Sequence, residues 1–161
     1  MKTEDEQAEQ QRIEKLANIN RAFASHIPFN NALGIQLLEV GDGFATQHLP
    51  TGPHLVGDVE QGTIHGGVIT TLLDSCCGAA VFMALDKPDY MATLDLRIDF
   101  LRPADASKPL SGRADCHTRN RQVAFVRCTA WQDDPDDPVA VGNATFAIGT
   151  PHGLPGARKT R

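Results

Sequence analysis

The most apolar segment of the chain covers residues 68–85 and contains no lysine, arginine or glutamate. Its length and continuous apolar character predict a helix that is buried on all sides. One carboxylate, Asp74, interrupts it. Burial of an ionised carboxylate is costly unless the group is paired or hydrogen-bonded, so Asp74 requires either a structural or a chemical reason.

Period-two patterns on both sides of this segment predict strands. Residues 93–100 alternate strictly between polar and apolar side chains, which is typical of a strand with one buried face. Two runs ahead of the helix, joined by Gly41-Asp42-Gly43, predict a hairpin. The predicted strands are 33–40, 44–49, 93–100, 110–118, 122–131 and 139–148. Residues 50–61 show no periodicity and are interpreted as a long loop.

The order of these elements predicts the fold class. Residues 9–25 have apolar positions at helical spacing, and Pro28 is expected to close the segment after them. An α+β fold follows, in which an antiparallel sheet of about six strands wraps one central helix, because an apolar helix needs a sheet face to cover it. We divide the chain into an N-terminal helical extension (1–27), one domain (28–150) and a mobile C-terminal tail (151–161).

Composition narrows the classes of partner. A chain of 161 residues with 41% hydrophobic residues is long enough for one core and short for two domains. The net charge of −5 argues against nucleic acid, although residues 97–127 carry seven basic and three acidic side chains and leave a local anionic ligand open. The apolar segment is interrupted too often to predict a bilayer span, and the acidic N-terminus resembles no targeting signal. We therefore expect a cytoplasmic protein without a membrane partner.

Cysteine and histidine spacing speaks against two other kinds of site. The four cysteines form no Cys-x-x-Cys pair, which favours reduced, structural thiols. Cys76 or Cys77 as a nucleophile would need a lowered pKa, whereas an apolar helix tends to raise the pKa of a thiol. The six histidines show no metal-ligand spacing, so no metal site is predicted.

Two motifs carry a family resemblance. His65-Gly66-Gly67 is followed at the proper distance by Asp74, and Asp99-Phe100-Leu101-Arg102-Pro103-Ala104 follows the predicted central helix. Together they resemble the hotdog-fold acyl-CoA thioesterases of the phenylacetate-degradation type, over roughly residues 33–149. The resemblance implies hydrolysis of an acyl- or aryl-CoA thioester to free acid and CoA, with CoA present only as part of the substrate and no other cofactor.

The resemblance also implies roles for the motif residues. The thioester carbonyl would bind the backbone N–H of Gly66 at the start of the central helix, where free amides and the helix dipole suit an oxyanion. Gly67 would keep the approach to the backbone open. Asp74 would be either the nucleophile or the general base for water. His65 is either a base or a loop-holding residue, and Thr93 either holds the attacking water or is an ordinary strand residue.

Substrate-binding candidates are assigned on the same basis. Related enzymes carry an Asn or Gln in the loop before the histidine, where this chain has Val59 and Asp58, so either Asp58 or Gln61 is expected to take that place. Arg102 and Arg121 fall where the family tends to place basic residues, and the planar guanidinium suits the phosphates of CoA. For each arginine the alternative is ordinary solvated surface charge.

The spacing of Gly66 and Asp74 predicts an oligomer. Eight residues separate them, which corresponds to about 12 Å along one helix at about 1.5 Å per residue. One substrate carbon cannot touch both, so we expect the carboxylate to come from a neighbouring subunit in a homodimer or a dimer of dimers. The chain length of the acyl group, and CoA as against acyl-carrier protein, stay open. The alternatives are a non-catalytic acyl-CoA-binding hotdog module, against which Asp74 speaks, and a hotdog dehydratase, whose His and acid motifs are not found.

Overall fold

The computed structural model describes residues 17–18, 20–21, 23 and 25–149. The elements in chain order are helix α1 (Pro28–Leu33), strands β1 (Gln36–Gly41) and β2 (Phe44–Leu49), a 3₁₀ turn (Pro53–Leu55), strands β3 (Val56–Asp58) and β4 (Thr63–Ile64), helix α2 (Gly66–Ala84), and strands β5 (Met91–Phe100), β6 (Leu110–Arg119), β7 (Val123–Trp131) and β8 (Ala140–Ile148). The described residues before α1 are helical, apart from Ile27. Residues 9–16 of the predicted N-terminal helix and the predicted tail, 151–161, lie outside the described residues.

Six of the strands form one antiparallel sheet in the order β1-β2-β6-β7-β8-β5. Helix α2 packs against this sheet, mainly on β2, β6 and β7. Strand β7 shows the reason, because its buried and exposed positions alternate, with Ala124, Val126 and Cys128 facing inward. The predicted six-stranded sheet on one central helix is confirmed.

The expectation that α2 is buried on all sides is wrong. Leu72, Leu73 and Cys76 have no exposed surface, as expected for the face that meets the sheet. The opposite face carries Asp74, which is only half-buried, and Phe82, which is 37% exposed. A helix on one side of a sheet needs a second layer to cover its other face, and the described residues ahead of β1 supply part of that layer.

Among the described residues, α2 is the one helix long and apolar enough, by length and composition, to cross a membrane. The sequence was not expected to contain such a segment. Its apolar character is accounted for by the sheet, since eight of its residues are buried in the core.

The segment before the sheet differs from expectation at Pro28 and at residues 33–35. Pro28 begins α1 rather than closing a helix, because proline at a first helical position loses no hydrogen bond. Helix α1 ends at Gly34, whose φ of 76° lies in the left-handed region that glycine adopts freely. Strand β1 therefore begins at Gln36, later than predicted.

Residues 50–61 are more ordered than the predicted loop. The 3₁₀ turn and β3 occupy this stretch, and β3 pairs with β4 in a two-stranded sheet. A Cβ on Gly57 would lie 2.6 Å from Cα of His65, so this glycine allows β3 to pass close to the start of α2. The small sheet thereby fixes the entry to the central helix.

Strand β5 lies at an edge of the large sheet and pairs only with β8. Its apolar side chains are less buried than the alternation predicts, since Leu94 is 40% exposed and Phe100 53% exposed. Leu101, directly after the strand, is 56% exposed. Among the strands that the structure describes, none pairs with the outer edge of this ten-residue strand, so the edge is open to pairing.

Candidate active site

The start of α2 is held by His65, which is the N-cap residue. Its Nδ1 accepts a hydrogen bond from the backbone N–H of Gly67 at 3.0 Å. A Cβ on Gly67 would lie 3.0 Å from that same nitrogen, so a side chain here would make the imidazole ring shift by a few tenths of an ångström.

The first amide of α2 has no acceptor. The N–H of Gly67 is taken by His65 and that of Val68 donates to the carbonyl of His65 at 2.9 Å. No acceptor for the N–H of Gly66 occurs among the described residues. A Cβ on Gly66 would lie 3.6 Å from the Phe100 ring, an ordinary contact, so the packing of this chain does not itself require glycine. Gly66 thus offers a free donor at a positive helix end.

This donor opens into a cavity of about 410 Å³, called here the Gly66 cavity. Gln61 and Arg102 line it together with Gly66. Three of the predicted site residues are therefore brought together at one end of α2. Arg102 is already engaged, because its Nε donates to Oδ1 of Asp137 at 3.2 Å and its Nη2 to the Asp137 carbonyl at 2.7 Å.

Asp74 lies two turns further along α2. The hydroxyl of Thr93, on β5, donates to Oδ1 of Asp74 at 2.8 Å. This bond fixes one carboxylate oxygen and leaves Oδ2 without a protein donor among the described residues. The sequence placed Thr93 at the site, and the structure joins it directly to the carboxylate.

Asp74 opens into a second cavity of about 610 Å³, called here the Asp74 cavity. Its floor is one side of α2, with Asp74, Gly78 and Phe82 at four-residue intervals, and Met91 of β5 and Phe146 of β8 also line it. Its roof comes from residues ahead of β1, among them Phe23 and Phe29. Gly66 does not line this cavity, and Asp74 does not line the Gly66 cavity.

Two polar residues in the Asp74 cavity were missed by the sequence analysis. Asn30 is only 6% exposed, and its Nδ2 donates to Oγ of Ser75 at 2.6 Å. This bond joins α1 to α2 at the residue next to Asp74. The sequence signals were a serine beside Asp74 in an apolar helix and an asparagine in an apolar segment, but their pairing across 45 positions is visible only in the fold.

Two further predicted residues, Asp58 and Arg121, line neither cavity. Oδ1 of Asp58 accepts the backbone N–H groups of Glu60 and Gln61 at 2.9 and 3.0 Å, which stabilises the turn between β3 and β4. Within one chain Asp58 therefore does not share a cavity with Asp74, whereas Gln61, the other candidate for the same place, lines the Gly66 cavity. Arg121 is exposed in the turn between β6 and β7 and lines neither cavity.

The thiols next to Asp74 are unsuited to nucleophilic chemistry. Cys76 and Cys77 are completely buried. Burial raises the pKa of the Cys76 thiol well above its usual range, and the hydrogen bond with Cys128, together with burial, does the same for the pKa of Cys77. The described residues also contain no group of three His, Cys, Asp or Glu side chains placed to hold a metal ion.

Comparison with known proteins identifies the class. The family model described as the thioesterase superfamily matches residues 61–139. The chain is 29% identical to the medium/long-chain acyl-CoA thioesterase YigI of Salmonella typhimurium over 144 residues, which is 81% of this chain and 92% of the relative. A crystal structure of a Pseudomonas aeruginosa protein is 36% identical, with a TM-score of 0.72 over 82% of this chain and 97% of that one.

Comparison of the folds leads to the same class of protein. The Escherichia coli PaaI protein from the phenylacetic acid degradation operon superposes with a TM-score of 0.73 at 20% identity, over 85% of this chain and 95% of that one, and so supports the fold alone. A single helix covered by this antiparallel sheet is the hotdog fold. The chain belongs to the thioesterase superfamily, and the prediction of a thioester hydrolase is confirmed.

Proposed function

We propose that the protein is an acyl-CoA thioesterase that cleaves its substrate with water at a site shared by two copies of the chain. The observation that carries this proposal is that α2 presents two reactive groups in two separate cavities. The free backbone N–H of Gly66 lies at the Gly66 cavity, and the carboxylate of Asp74, held by Thr93, lies at the Asp74 cavity. The name of YigI, a medium/long-chain acyl-CoA thioesterase, supports CoA as the carrier.

In the proposed mechanism the thioester carbonyl oxygen accepts the N–H of Gly66. Attack on the carbonyl carbon places negative charge on that oxygen, and a donor at a helix N-terminus stabilises the charge without reorganisation. His65 acts as a positioning residue, because its bond to Gly67 fixes the first turn of α2. Gly67 serves the same end by leaving room for the imidazole ring.

Asp74 activates the attack through the oxygen that Thr93 leaves free. As a general base it takes a proton from water while the water oxygen bonds to the carbonyl carbon, and the C–S bond then breaks with the proton passing to the thiolate. As a nucleophile its free oxygen bonds to the carbonyl carbon while the C–S bond breaks, and the CoA thiolate leaves and takes a proton from water. Water then hydrolyses the resulting anhydride to the free acid and the regenerated carboxylate. Both routes release free acid and CoA, and both use the same fixed carboxylate. Neither route needs a metal or redox cofactor.

The two halves of the site come from different copies of the chain. Gly66 and Asp74 of one chain lie about 12 Å apart along the helix axis, at about 1.5 Å per residue, and open into separate cavities. Pairing the edge strand β5 with β5 of a second copy would cover Leu94 and Phe100. A two-fold arrangement would then place the Gly66 end of one α2 opposite Asp74 of the other.

The carrier is proposed to lie along the Gly66 cavity. Arg102 is 34% exposed there and is held by Asp137, so a phosphate would compete with that carboxylate for the guanidinium. Gln61 contributes an amide side chain at the same cavity. Arg121 has no ion pair among the described residues and would contact the carrier only across subunits. Asp58 acts indirectly, because its carboxylate stabilises the loop that contains Gln61.

The test is release of free thiol from a panel of aryl- and alkyl-acyl-CoAs by wild type and Asp74→Asn. The amide keeps the shape of the carboxylate and can still accept the Thr93 hydroxyl. We expect kcat to fall by about a hundredfold or more with the oligomeric state unchanged. Binding of acyl-CoA by wild type without turnover of any thioester would support the non-catalytic binding module instead.

A further inference from the structure

The Asp74 cavity has more apolar volume than the chemistry of the thioester requires. Its lining is apolar apart from a few side chains, among them Asp74, Asn30 and Ser75. Its volume of about 610 Å³ lies within the range of about 300–1,000 Å³ that small-molecule pockets occupy. If a methylene group takes roughly the 30 Å³ of a water molecule, a volume of about 610 Å³ corresponds to about twenty methylene groups, which is enough for an acyl chain of about eight to sixteen carbons.

We propose that the Asp74 cavity receives the acyl chain and that Gly78 and Phe82 set the length of chain it accepts. This inference rests on the proposed function, since it takes the reacting carbonyl to lie beside Asp74. It adds the substrate class, which is an extended apolar acyl group, and names the two residues that limit the length of that group.

The spacing of three residues on α2 relates position in the cavity to the length of the acyl chain. Asp74, Gly78 and Phe82 follow one another at four-residue intervals and all line the cavity. Each interval corresponds to about 6 Å along the helix axis. A fully extended peptide spans up to about 3.6 Å per residue, which is about 1.2 Å for each of its three backbone bonds, and we take the same value for an extended acyl chain. Gly78 therefore lies roughly five bonds beyond the carbonyl carbon, and Phe82 roughly ten.

Gly78 leaves space that the fold does not need. A Cβ at this position would lie 3.7 Å from the Phe146 ring and 3.9 Å from the Met91 methyl group, both ordinary contacts. Alanine is thus accommodated, and a longer side chain would extend into the cavity. The absence of a side chain here lets an acyl group pass over α2 toward Phe82.

Phe82 closes the far part of the cavity. Its ring meets that of Phe23 edge to face, with centroids 6.4 Å apart and an angle of 86° between the rings. Both rings line the Asp74 cavity. Truncating Phe82 would lengthen the cavity at the end remote from Asp74.

The roof of the Asp74 cavity is joined to α2 at Ser75, the residue next to Asp74. The Asn30 to Ser75 hydrogen bond ties α1 to α2, and Asn30 is almost fully buried. A buried polar bond resists displacement because breaking it leaves unsatisfied groups. The length limit is therefore built into a preformed cavity.

The experiment measures kcat/KM for acyl-CoAs of four, eight, twelve and sixteen carbons with wild type, Gly78→Ala, Gly78→Leu and Phe82→Ala. We expect Gly78→Leu to lower the ratio of twelve-carbon to four-carbon kcat/KM at least tenfold, and Gly78→Ala to lower it less. Phe82→Ala should raise the ratio of sixteen-carbon to eight-carbon kcat/KM. Phe125→Ala makes the same change as Phe82→Ala on an exposed sheet position outside both cavities, and should alter neither ratio.

A second measurement separates failure of this inference from failure of the proposed function. Binding of a pyrene-labelled fatty acid, displaced by dodecanoate, reports on the cavity without catalysis. We expect wild type to bind the probe and Gly78→Leu to bind it at least tenfold more weakly, even if no thioester is hydrolysed. Ratios unchanged in both Gly78→Leu and Phe82→Ala, or no probe binding by wild type, would overturn the inference.

Discussion

The two cavities on α2 differ in what the helix offers to a ligand. At the Gly66 cavity the helix presents its own backbone, a free N–H at the positive end of the dipole. At the Asp74 cavity the backbone is hydrogen-bonded within the helix, and the only charged group that α2 adds to the lining is a side chain held by a neighbouring strand. One helix can thus supply an oxyanion donor and an acid, but only at places too far apart to act on one atom.

The Gly66 end can be disabled by removing its backbone donor. Gly66→Pro removes the N–H, and proline suits this first helical position because His65 is already extended at φ −63° and ψ 130°. We expect kcat to fall by about a hundredfold or more, as for loss of an oxyanion donor.

Gly66→Ala is the matched control for that variant. It keeps the N–H and places a Cβ at ordinary contact distance from Phe100. Thermal unfolding of both variants should show comparable stability. Equal loss of kcat in the alanine and proline variants would mean that the space at Gly66 matters and the donor does not.

The role of the Asp74 carboxylate can be tested through Thr93. Thr93→Val retains the shape but removes the hydroxyl that donates to Asp74. We expect kcat to fall by about tenfold with little change in KM, because the carboxylate loses its orientation while substrate contacts stay. Thr93→Ser restores the donor and should recover most of the lost rate. A serine variant no better than valine would indicate that the methyl group, and not the bond, is important.

The carrier side of the comparison is tested at Arg102. Arg102→Gln should raise KM for acyl-CoA several-fold with kcat unchanged, because a phosphate contact stabilises ground and transition states alike. Asp137→Asn should lower KM instead, since it removes the negative charge that competes with a phosphate for the guanidinium and keeps only the bond to the carbonyl of residue 137. Both effects should shrink at high salt. Unchanged KM in both variants would leave Arg102 as a surface ion pair.

The smallest effect concerns stability at the roof of the Asp74 cavity. Ser75→Ala leaves the buried Asn30 amide without its partner, which should cost about 1–3 kcal/mol in urea unfolding. Thr71→Ala is the control, because the Thr71 hydroxyl bonds only the Gly67 carbonyl of its own helix. If Asn30→Ala and Ser75→Ala add without coupling, the bond does not hold α1 to α2.

Much of this fold was predictable because its signals are local. Strict alternation predicted β5 within two residues of its start, and the continuous apolar run predicted α2. The strands of the small sheet were missed because three and two residues are too short to show a period. Pro28 was misinterpreted because proline ends one helix and begins another with the same geometry.

The candidate site was predictable where one motif carries it. Gly66 and Asp74 lie on one helix at a spacing that the sequence states directly. Asn30 and Gly78 were not found, because their meaning depends on which element covers α2. The free N–H of Gly66 also became visible only when His65 was seen to occupy the neighbouring amide.

The central claim, that each site combines Gly66 of one chain with Asp74 of another, is tested most directly with mixed dimers. Asp74→Asn and Gly66→Pro chains carrying different affinity tags are co-expressed, and dimers with one of each are isolated by two purification steps. Each parent homodimer should be nearly inactive, whereas the mixed dimer retains one intact pair and should show about half of wild-type activity. Mixed dimers as inactive as both parents would contradict the account, because a site contained in one chain cannot be restored by the other.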